Sequence, residues 1–230
     1  MPPDTNLERL ERLCSKLGNL SERMVLVGGT AAGLLITDPG ADPVRPTIDV
    51  DMIVEATNWS EYERLALELR SIHFTQPGLE GDPICRWRSG VDLLDLMPID
   101  ERVLGFSNRW YRTAFQSALR CKLPSGASIR HIDGPHFLAT KLEAYASRGE
   151  HDPVTSHDVE DLVRVVDGRP ALLDELRNST EDLRAAVESG LQPILRDRFF
   201  IEALAGYFGP DGNSRATRAL QRLRALAAQA

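Results

Sequence analysis

Residues 24–30 read Met-Val-Leu-Val-Gly-Gly-Thr, an apolar run that stops at two glycines. Such a run closed by Gly-Gly predicts a short buried strand that ends in a tight turn. The small residues of 30–36 then predict the start of a helix. A glycine turn leading into a helix presents bare backbone N–H groups where an anion such as phosphate is stabilised, and the Thr30 hydroxyl can add a further donor.

Residues 47–54 read Thr-Ile-Asp-Val-Asp-Met-Ile-Val and alternate polar with apolar side chains, which predicts a half-buried strand. Side chains at i and i+2 face the same side, so Asp49 and Asp51 point together. The apolar residues between and beside them are expected in the core: Ile48, Val50 and Met52. Two adjacent carboxylates repel each other unless a cation lies between them, and Mg²⁺ relieves that repulsion. Two solvated acids on an exposed sheet face are the alternative.

A third carboxylate, Asp95, lies on its own predicted strand over residues 91–97, and another strand is predicted at 84–88. Carboxylates from neighbouring strands are the usual ligands for one or two metals in phosphoryl transfer. Asp95 can also take the proton from an attacking hydroxyl. Asp92 is the competing candidate, and it faces the opposite side of the same strand.

The helix predicted over residues 135–148 carries Lys141 inside its apolar arc, with Arg148 extending the same stripe. A lysine directed at the core is costly unless it reaches the edge or faces an anion. The next helix, over 156–167, carries Asp158 and Asp161 on one flank. Asp158 either caps this helix, because Thr155-x-x-Asp158 fits a capping box, or pairs with Lys141 or with nucleotide hydroxyls.

The composition is that of a folded protein, with 42% hydrophobic and 27% charged residues. No apolar run approaches the roughly 18 residues needed to span a bilayer. The start of the chain, residues 1–4, has no basic or apolar signal region, so a cytoplasmic location is expected. Three widely spaced cysteines predict reduced thiols and exclude a zinc knuckle: Cys14, Cys85 and Cys121.

The formal charge of −7 argues against coating nucleic acid by bulk electrostatics, but it leaves room for a local basic groove. Candidates for such a rim are Arg86, Arg88, Arg109, Arg112, Arg120, Lys122 and Arg130. Four arginines near the end of the chain recur at helical steps and predict a solvated helix face: Arg215, Arg218, Arg222 and Arg224.

The pattern as a whole predicts an α/β (α+β) protein. A mixed sheet with flanking helices occupies residues 1–125, and an all-helical part occupies residues 126–230.

The order of these motifs resembles the nucleotidyltransferase (polymerase β-like) superfamily. The resemblance lies in the glycine turn at 27–30, in Asp49 and Asp51 on one strand, and in the later Asp95. Lys141 with Arg148, followed by Asp158-Val159-Glu160-Asp161-Leu162, is similar to the third and fourth motifs of the AbiEii/AbiGii toxin group, which includes the MenT-type toxins.

The resemblance implies a two-lobed enzyme with its active site between the lobes. It implies Mg²⁺-dependent transfer (Mn²⁺ being an alternative) of a nucleoside monophosphate from an NTP, with release of pyrophosphate. The implied acceptor is RNA, most simply the acceptor end of tRNA, and a cognate antitoxin protein is a further implied partner, with no membrane involved. The implied nucleotide-binding residues are Gly28, Gly29, Thr30, Thr47, Arg148 and Asp161.

The resemblance also implies the catalytic set: Asp49, Asp51, Asp95, Lys141 and Asp158. The first three are the implied metal ligands. The spacing from Gly29 to Asp49 is longer than is usual in the superfamily, and the excess falls in the proline-rich loop 38–46. Arg45, at the end of that loop, is expected to reach the phosphates.

Three other functions fit parts of the pattern. A nucleotidyltransferase acting on a small molecule such as an aminoglycoside would share the catalytic carboxylates but would have an acidic acceptor pocket. A glycosyltransferase would use Asp49-Val50-Asp51 to hold a nucleotide-sugar metal, which leaves Gly28, Asp95 and Lys141 unexplained. A non-catalytic nucleotide-binding or partner-binding module would not need Asp49.

Overall fold

A computed structural model describes residues 5–78, 81–148, 152–209 and 212–228. The chain forms two compact units. The first consists of the residues up to Ala31 together with Pro46–Asp133, and the second of Ala32–Arg45 together with the residues from Gly134 onward. Residues 1–4, on which the expected absence of a signal region rests, lie outside the described ranges. Within those ranges, no helix combines the length and apolar content that crossing a membrane requires.

The first unit is built on a six-stranded mixed sheet. Its strands are β1 (Met24–Val27), β2 (Val50–Val54), β3 (Arg86–Ser89), β4 (Asp92–Pro98), β5 (Leu119–Lys122) and β6 (Ser128–His131). Their order across the sheet is β3-β4-β2-β1-β6-β5. The pairs β2–β4 and β1–β6 are parallel, and the other neighbours are antiparallel. The sheet extends to His131, beyond residue 125.

Helices α1 (Thr5–Leu17), α3 (Trp59–Ser71), α4 (Glu101–Leu104) and α5 (Tyr111–Ser117) belong to the same unit, and α2 (Gly28–Leu35) begins in it. A 3₁₀ segment, Gly18–Arg23, leads into β1. The periodicity over residues 60–71 predicts α3, and Asn58 caps it by accepting a 3.0 Å hydrogen bond from the Glu61 N–H.

Strand β2 differs from the sequence expectation in its burial. Val50, Met52 and Ile53 are all fully buried, because β2 lies between β4 and β1 and is covered on both faces rather than on one. Ile48 precedes the strand and is 70% exposed, so its expected place in the core is wrong. The polar–apolar alternation over 47–54 reflects the two carboxylates at the start of the strand, not a solvated face.

The second unit is helical, which confirms the α/β order predicted from the sequence. Its helices are α6 (Gly134–Ser147), α7 (His157–Gly168), α8 (Leu172–Arg177), α9 (Glu181–Arg196), α10 (Arg198–Ala203) and α11 (Gly212–Leu226). A 3₁₀ segment, Leu204–Tyr207, follows α10. Helix α9 continues through Pro193, which lies in its last turn.

The arginines of α11 do not form the solvated face that their spacing predicts. The carboxylate of Asp167, buried at the end of α7, accepts hydrogen bonds from Arg215 and from Arg218, whose Nη2 lies 2.8 Å away. Arg222 donates to the backbone oxygens of Val166 and Asp167, which are among the carbonyls that α7 leaves without a helical partner. The negative charge of Asp167 therefore draws arginines of α11 toward α7 instead of leaving them in solvent.

We expect Asp167→Asn to lower the free energy of unfolding by about 3 kcal/mol, because it leaves two arginines without their buried counter-ion. Asp174→Asn is the matched control, since Asp174 is an exposed helix residue that pairs with Arg177 on the surface, and we expect a change within about 0.5 kcal/mol. Urea denaturation of both variants measures the difference. Equal midpoints for the two would show that the Asp167 cluster contributes nothing to stability.

The thiols give a second check on the packing of the first unit. Cys14 and Cys85 are buried, and burial raises the pKa of each to about 12, whereas Cys121 on the edge strand β5 is only partly buried. Because the thiolate is the reactive form, we expect iodoacetamide at pH 8 to modify the native protein first at Cys121. Peptide mass spectrometry identifies the site, and modification of Cys14 or Cys85 at the same rate would contradict the packing.

Candidate active site

Strand register places the predicted carboxylates in one row of the sheet. Val27 at the end of β1 pairs with Asp51 of β2, and Asp51 pairs with Asp95 of β4. Arg86 of β3 pairs in turn with Asp95. Directly opposite residues on adjacent strands direct their side chains to the same face, so Asp51, Asp95 and Arg86 share one side of the sheet. Asp49 lies just before β2.

The glycine turn fits closely against this row. Gly28 has a φ of +66°, which side-chain-bearing residues rarely adopt. A Cβ at this position would lie 2.0 Å from Oδ2 of Asp51, so only glycine lets the turn and the carboxylate approach each other. Helix α2 begins at Gly28 and directs its first N–H groups, those of Gly28, Gly29 and Thr30, out of the helix end.

Arg86 provides the positive charge among the acids. Its Nε and Nη2 donate to the two oxygens of Asp95 at 2.8 and 2.7 Å, and the same Nη2 donates to Oδ2 of Asp49 at 2.7 Å. All three side chains are largely buried. The hydrogen bond with Asp95, together with the negative charges of Asp95 and Asp49, raises the pKa of Arg86 despite burial. The guanidinium therefore stays charged.

The two predicted threonines have structural partners here. Thr30 and Thr47 are buried with their hydroxyl oxygens 3.0 Å apart, and both donate to the backbone oxygen of Asp49, at 3.3 and 3.0 Å. The Thr47 N–H donates to Oδ1 of Asn6 at 2.8 Å, and Arg9 donates to the Thr47 carbonyl. These bonds fix the backbone that presents Asp49. Both hydroxyls are turned into the protein.

Asp92 and Asp95 have different surroundings. Asp92 is buried and accepts hydrogen bonds from Arg12 at 2.9 Å and Lys16 at 2.8 Å, which fastens α1 to β4. Burial alone would raise the pKa of Asp92, but the bonds from Lys16 and Arg12 outweigh it and the pKa is lowered. Asp95 lies on the face of the sheet that carries Asp51, so the structure separates the two candidates.

The donor set suits a hard divalent cation in its chemistry, since carboxylate oxygens are the ligands that Mg²⁺ prefers. The arrangement of these donors is not that of a metal site, because Arg86 donates to both oxygens of Asp95 and to one oxygen of Asp49. Across the described residues, no group of three or more His, Cys, Asp or Glu side chains is gathered as a metal site would require. The metal assignment of Asp49, Asp51 and Asp95 stays a prediction.

A second cluster of charges lies within the helical unit. Lys141 of α6 is buried, and its Nζ donates to Asp158 at 3.0 Å and to Asp161 at 2.6 Å, both on α7. Burial lowers the pKa of Lys141, but the charges of Asp161 and Asp158 more than offset this and the pKa is raised. Lys141 is thus a protonated cation held by two carboxylates.

Two arginines complete this Lys141 cluster. Arg148 is mostly exposed, and its Nη1 lies 3.0 Å from Oδ2 of Asp158. Arg45 forms a bidentate pair with Asp161, in which its Nε and Nη2 donate to the two carboxylate oxygens at 2.9 and 3.2 Å. Arg45 therefore bonds a carboxylate here, and its contact with phosphate stays a prediction. Three cations face two carboxylates, so the cluster carries one positive charge in excess.

Asp158 does not cap α7. Ser156 is the N-cap residue, and its hydroxyl accepts from the Val159 N–H at 3.5 Å, so the capping-box interpretation of Thr155 and Asp158 is wrong. The alternative interpretation, a pair with Lys141, is the arrangement observed. Asp158 and Asp161 lie three residues apart on one face of α7, and the same face meets Lys141 of α6.

The basic residues of the first unit are divided between structural and exposed roles. Arg112 pairs with Asp100, and Arg130 donates to the Phe115 carbonyl while its guanidinium lies over the Phe115 ring. Arg120 and Lys122 are exposed on the edge strand β5, where Arg120 pairs with Arg130 in register. Further exposed cations are Arg88 and Arg109. Arg86 joins Asp49 and Asp95, a role that its sequence context did not reveal.

Comparison with known proteins adds little to this geometry. No family model matches the chain, and no curated protein matches it. One solved structure, that of the antibiotic-resistance factor ANT(2'')-Ia, aligns with 81% of this chain and 92% of its own at a TM-score of 0.48 and 11% sequence identity. A likeness of that degree assigns neither an activity nor a substrate to this chain.

The close approach of Gly28 to Asp51 can be tested with two glycine variants. We expect Gly28→Ala to destabilise the protein by about 3 kcal/mol, combining left-handed strain with the clash against Asp51. Gly126→Ala, at φ +88° with open space around the new Cβ, carries only the strain and should cost about 1 kcal/mol. Urea denaturation compares the two, and equal losses would show that Asp51 does not constrain the turn.

Proposed function

We propose that the protein is a nucleotidyltransferase that transfers a nucleoside monophosphate from an NTP to RNA, with the acceptor end of tRNA as the preferred target. The observation that carries this proposal is the register row of Asp51 and Asp95 with Asp49 at its end, packed against the glycine turn of α2. A reaction on an NTP requires carboxylates that hold a divalent cation and backbone N–H groups that hold phosphate oxygens. The three aspartates and the start of α2 offer these two kinds of group side by side.

In the proposed reaction, an acceptor hydroxyl oxygen forms a bond to the α-phosphorus of the NTP. The bond from that phosphorus to the bridging oxygen breaks, and pyrophosphate leaves with the electron pair. The hydroxyl proton passes to a carboxylate, and Asp95 is the candidate base because it is the acid on β4 that shares the face of Asp51. The N–H groups of Gly28 and Gly29 are assigned to the triphosphate oxygens.

Asp49, Asp51 and Asp95 are the residues that would hold a divalent cation. Bound there, Mg²⁺ or Mn²⁺ would neutralise charge on the phosphates and on the leaving pyrophosphate. Thr30 and Thr47 are assigned to positioning the Asp49 backbone, on the strength of their bonds to its carbonyl oxygen.

We assign the Lys141 cluster to neutralising the negative charge of the NTP phosphates. Its excess positive charge is exposed at Arg148, whereas Lys141 is held by Asp158 and Asp161. In this assignment Asp158 fixes the lysine ammonium, and Asp161 holds both Lys141 and Arg45. An ammonium fixed by two carboxylates pays little further ordering cost when an anion binds.

RNA is the proposed acceptor because the exposed cations of the first unit, Arg109, Arg120 and Lys122, suit a phosphate backbone in spite of the acidic total charge. The motif pattern shared with the AbiEii/AbiGii group supports a toxin that blocks translation and is held in check by an antitoxin protein.

The test is to incubate the protein with each α-labelled NTP, Mg²⁺ and total tRNA. We expect label in tRNA from one or more NTPs with the wild type, and loss of at least about 100-fold with Asp49→Asn, because one of the carboxylates that hold the cation is gone. Asp174→Asn, a charge-matched surface change on α8, should retain the wild-type rate.

Transfer of label to an aminoglycoside but not to tRNA would replace the RNA acceptor by a small molecule and leave the chemistry standing. Binding of NTP with no labelled product in RNA, protein or small molecules would refute the enzyme and favour a nucleotide-binding module. Release of the labelled sugar from a nucleotide-sugar would instead point to the glycosyltransferase.

A further inference from the structure

Three carboxylates lie near Arg86, and its guanidinium donates hydrogen bonds to two of them. Its Nε and Nη2 bond Asp95 and Asp49, while its Nη1 lies 3.9 Å from Oδ1 of Asp82, beyond hydrogen-bonding distance. The other oxygen of Asp82, Oδ2, is buried and has no hydrogen-bond partner among the described residues. A buried carboxylate oxygen without a donor is costly, so Asp82 is an acceptor that a displaced guanidinium could satisfy.

We propose that Arg86 is an internal counter-ion of Asp49 and Asp95 that a divalent cation displaces, and that Asp82 receives it. The inference rests on the proposed function, because it concerns the carboxylates assigned there to the cation. Arg86 is a positioning residue in this view: it holds the two carboxylates in place before the cation arrives, and its departure breaks the three hydrogen bonds that it makes to them.

The geometry favours displacement of the side chain alone. Arg86 is fixed in the β3–β4 pairing opposite Asp95, so its backbone stays where the register holds it. Asp82 precedes it by four residues on the segment that leads into β3. The guanidinium can therefore turn from Asp49 and Asp95 to Asp82 about its own side-chain torsions, with no change of register.

Competition follows from the charges. A guanidinium and a divalent cation both require the anionic oxygens of Asp49 and Asp95, and each excludes the other from Asp95, both of whose oxygens Arg86 bonds. Removing Arg86 should tighten cation binding, and removing its alternative acceptor should weaken it. Because loss of a nearby positive or negative charge alone has the same two signs, the deciding quantity is whether the effect of Asp82→Asn depends on the presence of Arg86.

The experiment measures Mn²⁺ binding by electron paramagnetic resonance on the nucleotide-free protein. We expect Arg86→Met to bind Mn²⁺ about tenfold more tightly than the wild type, within the usual range of coupling between competing ligands. Asp82→Asn, which keeps Arg86, should bind about threefold more weakly. Arg88→Met, which removes an exposed arginine two residues along β3, is the matched control and should leave the Mn²⁺ affinity unchanged.

The double variant Arg86→Met/Asp82→Asn provides the decisive comparison, because Asp82→Asn should have no effect once Arg86 is absent. An Mn²⁺ affinity that Arg86→Met leaves unchanged would overturn the proposal. So would an effect of Asp82→Asn that persists without Arg86, or an absence of Mn²⁺ binding in every variant. Should Arg86→Met fail to fold, Arg86→Gln replaces it in the same comparison, with the same outcomes supporting or refuting the proposal.

The transfer assay separates this inference from the proposed function. A wild type that labels tRNA, with an Arg86→Met variant that binds Mn²⁺ no more tightly, refutes the role of Arg86 and keeps the enzyme. Tighter Mn²⁺ binding in Arg86→Met, with no nucleotidyl transfer by the wild type, supports the role of Arg86 as a counter-ion and refutes the proposed enzymatic activity.

Discussion

The register of four strands brings opposite charges into a single row, where Asp51, Asp95 and Arg86 lie side by side on one face of the sheet. A parallel pair joins β2 to β4, and an antiparallel hairpin joins β4 to β3. A slip of one residue in either pairing would send a charged side chain to the opposite face, away from its partners in the row. The fixed register therefore brings the carboxylates together, and Gly28 closes the row because no larger residue fits beside Asp51.

The same rule of charge compensation recurs across the chain. Asp92 is buried against Arg12 and Lys16, Asp161 against Lys141 and Arg45, and Asp167 against two arginines of α11. Each buried acid joins elements that lie far apart in the sequence. Arginine is favoured in these positions because its planar donors satisfy both carboxylate oxygens at once, as Arg86 does for Asp95 and Arg45 for Asp161.

Local patterns predict most of the secondary structure and the three carboxylates, since apolar periodicity and the Gly-Gly turn are properties of short segments. They do not predict Arg86, because its contact with Asp95 depends on hairpin register and its contact with Asp49 on a pairing 37 residues away. They also misplace Ile48, whose position in the alternation matches that of the buried Val50, and the α11 arginines, whose acceptor Asp167 is some 50 residues distant. Side-chain partners across long separations are beyond what a segment can reveal.

The two charged clusters have opposite residual charge. In the first unit, the Arg86 guanidinium faces the carboxylates of Asp49 and Asp95, which gives one negative charge in excess among these three groups. Three cations face two carboxylates in the Lys141 cluster, which leaves it cationic. Because each cluster keeps an unbalanced charge within its own unit, the carboxylates around Arg86 suit a cation and the Lys141 cluster suits an anion.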